Sequence, residues 1–182
     1  NLLNFIYKLY TYTNIIYKTP QYINNESNRL HLSILNLSTF ESSNEIYNLY
    51  KKNIIYNKII KEILSNVKSF KLILFGCILT NNSIILKGFP DYDINLIRDN
   101  IRNKFNDNEL IFYERYKNTI FHMTLCRFDR VLTNKELLHL KFLVEKYSNS
   151  YFGYFVIDNI VLSNTTLTCR FVDTEILDKF IL

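Results

Sequence analysis

Two segments of the chain alternate between apolar and polar residues, and each has a histidine at a polar position. In the first segment, RLHLSILNL (29–37), Leu32 and Ile34 alternate with His31 and Ser33. A period of two is typical of a half-buried β-strand, because successive side chains point to opposite faces. We therefore expect a strand here, with its apolar face toward the core.

The second segment, TIFHMTLCRF (119–128), shows the same alternation. His122, Thr124 and Cys126 fall on one face of the predicted strand, and Met123 falls on the other. Because residues two apart in a strand share a face, each segment presents an imidazole beside a hydroxyl group.

Three segments have apolar residues at the spacing of an α-helix. The clearest helix start is Thr133, because Glu136 follows three residues later in the pattern of a capping box. The predicted helices span residues 42–67, 91–106 and 133–147. Residues 1–18 also have helical spacing, which predicts an amphipathic helix or a packed segment.

The remaining apolar runs predict strands or extended segments, at residues 69–80, 83–89, 151–164 and 167–180. The first two of these flank a short turn. Because strands and helices are interleaved and several neighbouring strands are joined directly, the sequence predicts an α+β fold with an antiparallel sheet and helices outside. A chain of 182 residues, with three glycines, two prolines and no linker-like stretch, is expected to be one domain.

The composition indicates which class of partner and which cellular compartment to expect. The formal net charge of +5 and a pI near 9.0 suit a polyanion such as a nucleotide or RNA, although the basic residues are scattered. The cysteines, Cys77, Cys126 and Cys169, lack CxxC spacing, which argues against disulfides and zinc and favours a reducing, cytoplasmic location. Lys8 interrupts the apolar N-terminal stretch, so no membrane association is expected.

Two His-x-Ser/Thr units on neighbouring strands would bracket one phosphate group. An imidazole takes or gives a proton near neutral pH, and a hydroxyl donates a hydrogen bond to a phosphate oxygen. One histidine would deprotonate the attacking oxygen while the other protonates the leaving oxygen, without a metal or other cofactor. A lone unit of this kind is usually structural, but two units, each followed by a predicted helix, favour a catalytic pair.

The motifs HLSI, starting at His31, and HMTL, starting at His122, resemble the paired signatures of the 2H phosphoesterase superfamily. That superfamily includes the LigT-like RNA cyclic phosphodiesterases and the 2′,5′-phosphodiesterases. The resemblance covers roughly residues 29–172, with Ser33 in place of the commoner threonine, and residues 1–28 fall before it.

The resemblance implies a bilobal α+β fold, in which two pseudo-symmetric lobes with antiparallel sheets form a central groove and the helices lie outside. It also implies that His31 and His122 act as catalytic acid and base, that Ser33 and Thr124 bind the phosphate, and that no cofactor takes part.

Other residues are weaker candidates for substrate binding. LigT-like sequences often carry an arginine at the position of Arg127, but strand parity turns this residue off the His122 face unless a bulge intervenes. Bases stack on aromatic rings and an ammonium group favours phosphate, so the groove could also be lined by Lys87, Tyr10, Tyr12 and Tyr113. His139 is expected to be a surface or packing residue, and Cys126 a wall of the groove.

The abundance of Asn, Ile, Lys, Tyr and Phe is what an A/T-rich coding sequence produces, as in some large DNA viruses, protists and low-GC bacteria. A viral enzyme of this class would suit hydrolysis of an immune messenger, cyclic GMP-AMP or a 2′-5′ oligoadenylate, in the host cytosol. The alternative substrate is an RNA end with a 2′,3′-cyclic phosphate. We expect a monomer whose partner is a nucleotide, a cyclic dinucleotide or an oligonucleotide.

Three other classes of protein compete with this hypothesis. An RNA-binding module would keep the fold and use its histidines only to hold phosphate, and an interaction domain would carry the motifs by accident. A metal-dependent phosphodiesterase is disfavoured, because the acidic residues nearest the histidines, Asp91, Asp93 and Asp129, are expected to lie in turns and helix caps.

Overall fold

The computed structural model describes residues 31–37, 54–110, 112, 114, 117, 119–128, 130–165 and 174–182. Three predicted segments lie wholly or partly outside these residues: the N-terminal segment, the first part of the helix over 42–67 and the first part of the extended segment 167–180.

Within the described residues the chain forms three helices and six strands. The helices are α1 (Ile54–Leu64), α2 (Ile94–Asp107) and α3 (Asn134–Tyr147). The strands are β1 (Phe70–Leu79), β2 (Ser83–Pro90), β3 (His122–Arg127), β4 (Tyr151–Ile157), β5 (Asn159–Thr165) and β6 (Thr174–Ile181). This interleaving confirms the α+β class.

Capping residues begin two of the helices as the sequence predicts. Thr133 caps α3 with a full capping box, in which Glu136 Oε2 accepts from the Thr133 N–H at 2.8 Å. Asp93 caps α2, because its Oδ1 accepts a hydrogen bond from the Asn95 N–H at 2.9 Å. Such caps satisfy backbone donors that have no partner inside the helix.

Four strands form one sheet in the order β3-β2-β1-β4, and β5 and β6 pair in a second, antiparallel sheet. The predicted turn between β1 and β2 is closed by a hydrogen bond of 2.8 Å from the Thr80 N–H to the Ser83 carbonyl. The segment predicted as extended over 151–164 is divided at Asp158 into β4 and β5. No helix in the described ranges has the length and apolarity needed to cross a membrane.

The chain divides into two compact units, each made of separated stretches of sequence. The first unit contains the described residues within 1–33, 72–89 and 120–155, and the second those within 34–71, 90–119 and 156–182. The most deeply buried residues of the first unit include Leu72, Leu74, Ile84, Leu86, Leu125 and Leu140. In the second unit the Tyr56 and Phe105 rings pack edge to face, with centroids 5.2 Å apart.

A charged side chain lies in the core of the second unit. Arg98 of α2 has no exposed surface, which is unusual for an arginine unless it is well bonded. Its Nε donates to the carbonyl oxygen of Ile34 at 2.7 Å, and its Nη1 donates to Oδ1 of Asn95 at 3.0 Å. Burial, with a smaller effect from nearby Arg102, lowers the pKa of Arg98 from its usual value.

The Arg98 bond accounts for a difference from the predicted strand over 29–37. In its described part, residues 31–37, only Leu32 forms a β-bridge, and the chain bends at Ile34. The Ile34 carbonyl is bonded to the Arg98 guanidinium instead of extending a strand ladder.

We expect Arg98→Met to lower the free energy of unfolding by about 1–3 kcal/mol, because methionine leaves the half-buried Ile34 carbonyl without its charged donor. Urea unfolding followed by circular dichroism measures the change.

Lys104→Met is the matched control on the same helix, because Lys104 is exposed and its 3.5 Å contact with Glu62 is an exposed ion pair. Such a pair contributes about 0–1 kcal/mol. Equal losses in the two variants would contradict a special role for the buried guanidinium.

Candidate functional site

The two histidine motifs lie side by side in the first unit. Leu32 and Met123 form an antiparallel β-bridge. In an antiparallel pair, the residue before one partner lies beside the residue after the other, with Cα atoms about 4.5–5.5 Å apart. The neighbouring pairs are therefore His31 with Thr124 and Ser33 with His122.

The four polar side chains of the motifs share one face of the sheet. Met123 is only 4% exposed and points into the core. Its strand neighbours, His122 and Thr124, therefore point the other way and are half-buried. By the same alternation about Leu32, the exposed His31 and the half-buried Ser33 lie on this face. We call this surface the site face.

Strand β2 adds the next row of side chains to the site face. Lys87 lies opposite His122, and Ile85 lies opposite Thr124. Leu86, between them, points to the other side and is fully buried. Lys87, predicted as a substrate-binding residue, is thus a direct cross-strand neighbour of a motif histidine.

A β-bulge at Leu125 changes the direction of the side chains that follow. Ile85 pairs with Thr124 but Ile84 pairs with Cys126, so Leu125 is the extra residue on β3. Leu125 and Cys126 are both only 1% exposed, so two consecutive residues face the core. The prediction that Cys126 shares the face of the motif is wrong, because the bulge turns it inward.

The same bulge brings Arg127 to the site face. Arg127 pairs with Ser83, which lies on the same face of β2 as Ile85 and Lys87 by strand parity. Arg127 is exposed. Arg127 could share the face of His122 only if β3 contained a bulge, and that bulge is present. The site face therefore carries two basic residues, Lys87 and Arg127.

Two aromatic residues beside Lys87 were not identified from the sequence. The Nζ atom of Lys87 lies 6.0 Å from the ring centroid of Phe75 and 5.9 Å from that of Phe89. Gly76 has φ of +69°, which is a bulge-like conformation inside β1. A glycine within an apolar run is the signal that could have indicated this close approach.

The two cysteines in the described residues are buried thiols. Burial raises the pKa of Cys126 to about 12 and the pKa of Cys77 to about 11. The Cys77 thiol also donates to the Val144 carbonyl of α3, at 3.6 Å. Because the thiolate is the nucleophile, neither side chain is suited to covalent catalysis at neutral pH.

Four other residues named from the sequence lie either away from the site face or outside the described residues. Tyr10, Tyr12 and Tyr113 lie outside the described residues. His139 lies on α3 and is exposed, in agreement with a surface position.

The acidic residues have structural positions. Asp91 Oδ1 accepts from the Lys71 N–H at 2.7 Å, and Asp93 is the cap of α2, whereas Asp129 lies outside the described residues. Among the residues that the structure describes, no three His, Cys, Asp or Glu side chains are grouped so that they could hold a metal ion.

Comparison with known proteins finds no family model and no curated protein that matches this sequence. The molecule is therefore classified by its α+β fold, and the geometry of the site face is what bears on its function.

We expect Cys77 and Cys126 to react slowly with iodoacetamide at pH 8 in the folded protein, because on the order of a thousandth of either thiol, or less, is ionised. Mass spectrometry of a Cys169→Ser variant would count the labels over time, since Cys169 lies outside the described residues.

The same variant unfolded in guanidinium chloride is the control, and both thiols should label quickly there. Fast labelling of Cys126 in the folded protein would contradict its inward position.

Proposed function

We propose that the chain is a metal-independent phosphodiesterase of the 2H kind, in which His31 and His122 transfer protons while Ser33 and Thr124 hold the phosphate. The observation that supports this proposal is the antiparallel bridge between the two motifs, which puts both imidazoles and both hydroxyls on one accessible face.

The arrangement suits displacement of one oxygen by another at phosphorus. One imidazole takes the proton of the attacking water or hydroxyl as the new P–O bond forms. The other imidazole protonates the leaving oxygen as the old P–O bond breaks, so charge and protons balance. The two histidines exchange the roles of acid and base when the direction of the reaction is reversed.

The hydroxyl groups and basic side chains suit the charge of a phosphodiester. Ser33 and Thr124 can each donate a hydrogen bond to a non-bridging phosphate oxygen. Arg127 and Lys87 add positive charge on the same face, and a guanidinium can bind phosphate through two parallel hydrogen bonds. We therefore assign Arg127 and Lys87 to substrate binding.

We also propose the bilobal architecture that the resemblance to the 2H superfamily implies, and the division into two compact units is compatible with it.

For the substrate we propose an immune messenger, cyclic GMP-AMP or a 2′-5′ oligoadenylate, cleaved by a viral enzyme in the host cytosol. This choice is supported by the A/T-rich type of composition and by the net charge of +5. An RNA end with a 2′,3′-cyclic phosphate is the competing substrate, and an RNA-binding module without turnover is the competing class of protein.

We expect His31→Asn and His122→Asn each to lower turnover about 10²- to 10⁴-fold, because each removes one proton-transfer group and keeps a similar size. The assay uses EDTA and a panel of cyclic dinucleotides, 2′-5′ and 3′-5′ oligonucleotides and 2′,3′-cyclic nucleotides. The substrate that is cleaved identifies the class of phosphodiesterase.

His139→Asn is the matched control, because it changes the third histidine of the chain, outside both motifs. It should leave turnover unchanged. Activity that disappears in EDTA, or that survives both motif substitutions, would contradict the mechanism. Nucleotide binding by the wild type with no turnover of any substrate would identify a binding module instead.

A further inference from the structure

Lys87 extends away from the two histidine motifs. Its backbone lies opposite His122 on β3, but its side chain lies over β1, the strand on the other side of β2. The Lys87 side chain packs closely on Gly76 of β1, because a Cβ atom added at Gly76 would lie 2.8 Å from Lys87 Cε and 3.0 Å from Nζ. The ammonium group is therefore displaced from the motif phosphate site by about the 4.8 Å spacing of neighbouring strands.

Two rings hold the ammonium group at this position. The rings of Phe75 and Phe89 pack edge to face, with centroids 6.4 Å apart and an interplanar angle of 73°. Lys87 Nζ is within 6.0 Å of both centroids, which is the range of a cation–π contact. In the described part of the chain, no carboxylate forms an ion pair with Lys87. The two rings therefore position the ammonium group of Lys87, and no described carboxylate neutralises its charge.

Phe89 adds a stacking surface next to this charge. It lies on the same face of β2 as Lys87, two residues further on, and is 48% exposed. Nucleobases stack on exposed aromatic rings largely independently of sequence. An ammonium group beside an exposed ring matches the two parts of a nucleotide, a phosphate and a base.

We propose that Lys87, Phe75 and Phe89 form a second nucleotide subsite, which binds the phosphate and base of the unit next to the scissile phosphate. This inference rests on the proposed function, because it takes the histidine motifs as the place of the scissile group. The site would then favour substrates of two or more nucleotide units, lying across the strands from β3 toward β1. A mononucleoside 2′,3′-cyclic phosphate would leave the subsite empty.

The test compares binding of AMP with binding of 5′-phosphorylated diadenylates whose 2′-5′ or 3′-5′ linkage is a phosphorothioate that resists cleavage. Isothermal titration in EDTA gives the dissociation constants. We expect wild-type protein to bind one of the diadenylates at least about tenfold more tightly than AMP, because one base stack and one phosphate contact are added.

Lys87→Met keeps the length of the side chain and removes its charge. It should weaken diadenylate binding, reduce the slope of log K against log salt concentration by about 0.7, and leave AMP binding within about twofold. Phe89→Leu should weaken diadenylate binding at least about fivefold, and Phe89→Tyr, which keeps the ring, should restore it.

Lys141→Met and Phe142→Leu are matched controls on α3, where both residues are exposed. They should change neither dissociation constant. Thermal unfolding establishes that each variant is folded, and the Phe89→Tyr variant keeps the test decisive if Phe89→Leu is unstable.

Two results would overturn the subsite: equal binding of AMP and diadenylates by the wild type, or equal losses of both ligands in Lys87→Met. The second result would mean that Lys87 serves the same nucleotide position for AMP and for the diadenylates, so that it forms no second subsite. Turnover separates this inference from the proposed function. Selective diadenylate binding without any turnover would support the subsite and contradict the proposed enzyme activity. Turnover without selective binding would contradict only the subsite.

Discussion

The antiparallel contact between Leu32 and Met123 is the constraint on which the candidate site depends. Both residues separate a histidine from a hydroxyl residue, so their pairing decides which polar groups become neighbours. A slip of one residue would turn one motif toward the core, because strand side chains alternate with a period of two. With the observed register, each imidazole lies beside the hydroxyl of the other motif.

In the described part of the chain the first motif forms one β-bridge, at Leu32, and the backbone directly after the motif makes a different interaction. Ile34 follows Ser33, and its carbonyl accepts a hydrogen bond from the buried Arg98 guanidinium. Burying a cation costs desolvation energy, and removing such a group leaves its acceptors unpaired. The planar guanidinium donates to Ile34 and to Asn95 in fixed directions, so it holds the backbone at Ile34 in place. Among the described residues, Ile34 itself takes no part in a strand ladder.

Local irregularities in two strands determine the composition of the site face. The bulge at Leu125 sends Cys126 into the core and returns Arg127 to the face that carries His122. Gly76, at positive φ, allows the Lys87 side chain to cross β1 at close range. Bulges are common next to functional sites because one extra residue redirects a side chain without breaking the sheet.

The sequence by itself determined most of the described elements and the shared face of His122 and Thr124. Periodicity located β3 and the described helices, the Thr133 capping box marked the start of α3, and parity put His122 and Thr124 on one face. Only the tertiary structure decided which residues of different strands are neighbours, where β3 is bulged, and that two phenylalanine rings flank Lys87. The physical reason is that periodicity reports the two sides of one element, whereas register depends on packing between residues far apart in the chain.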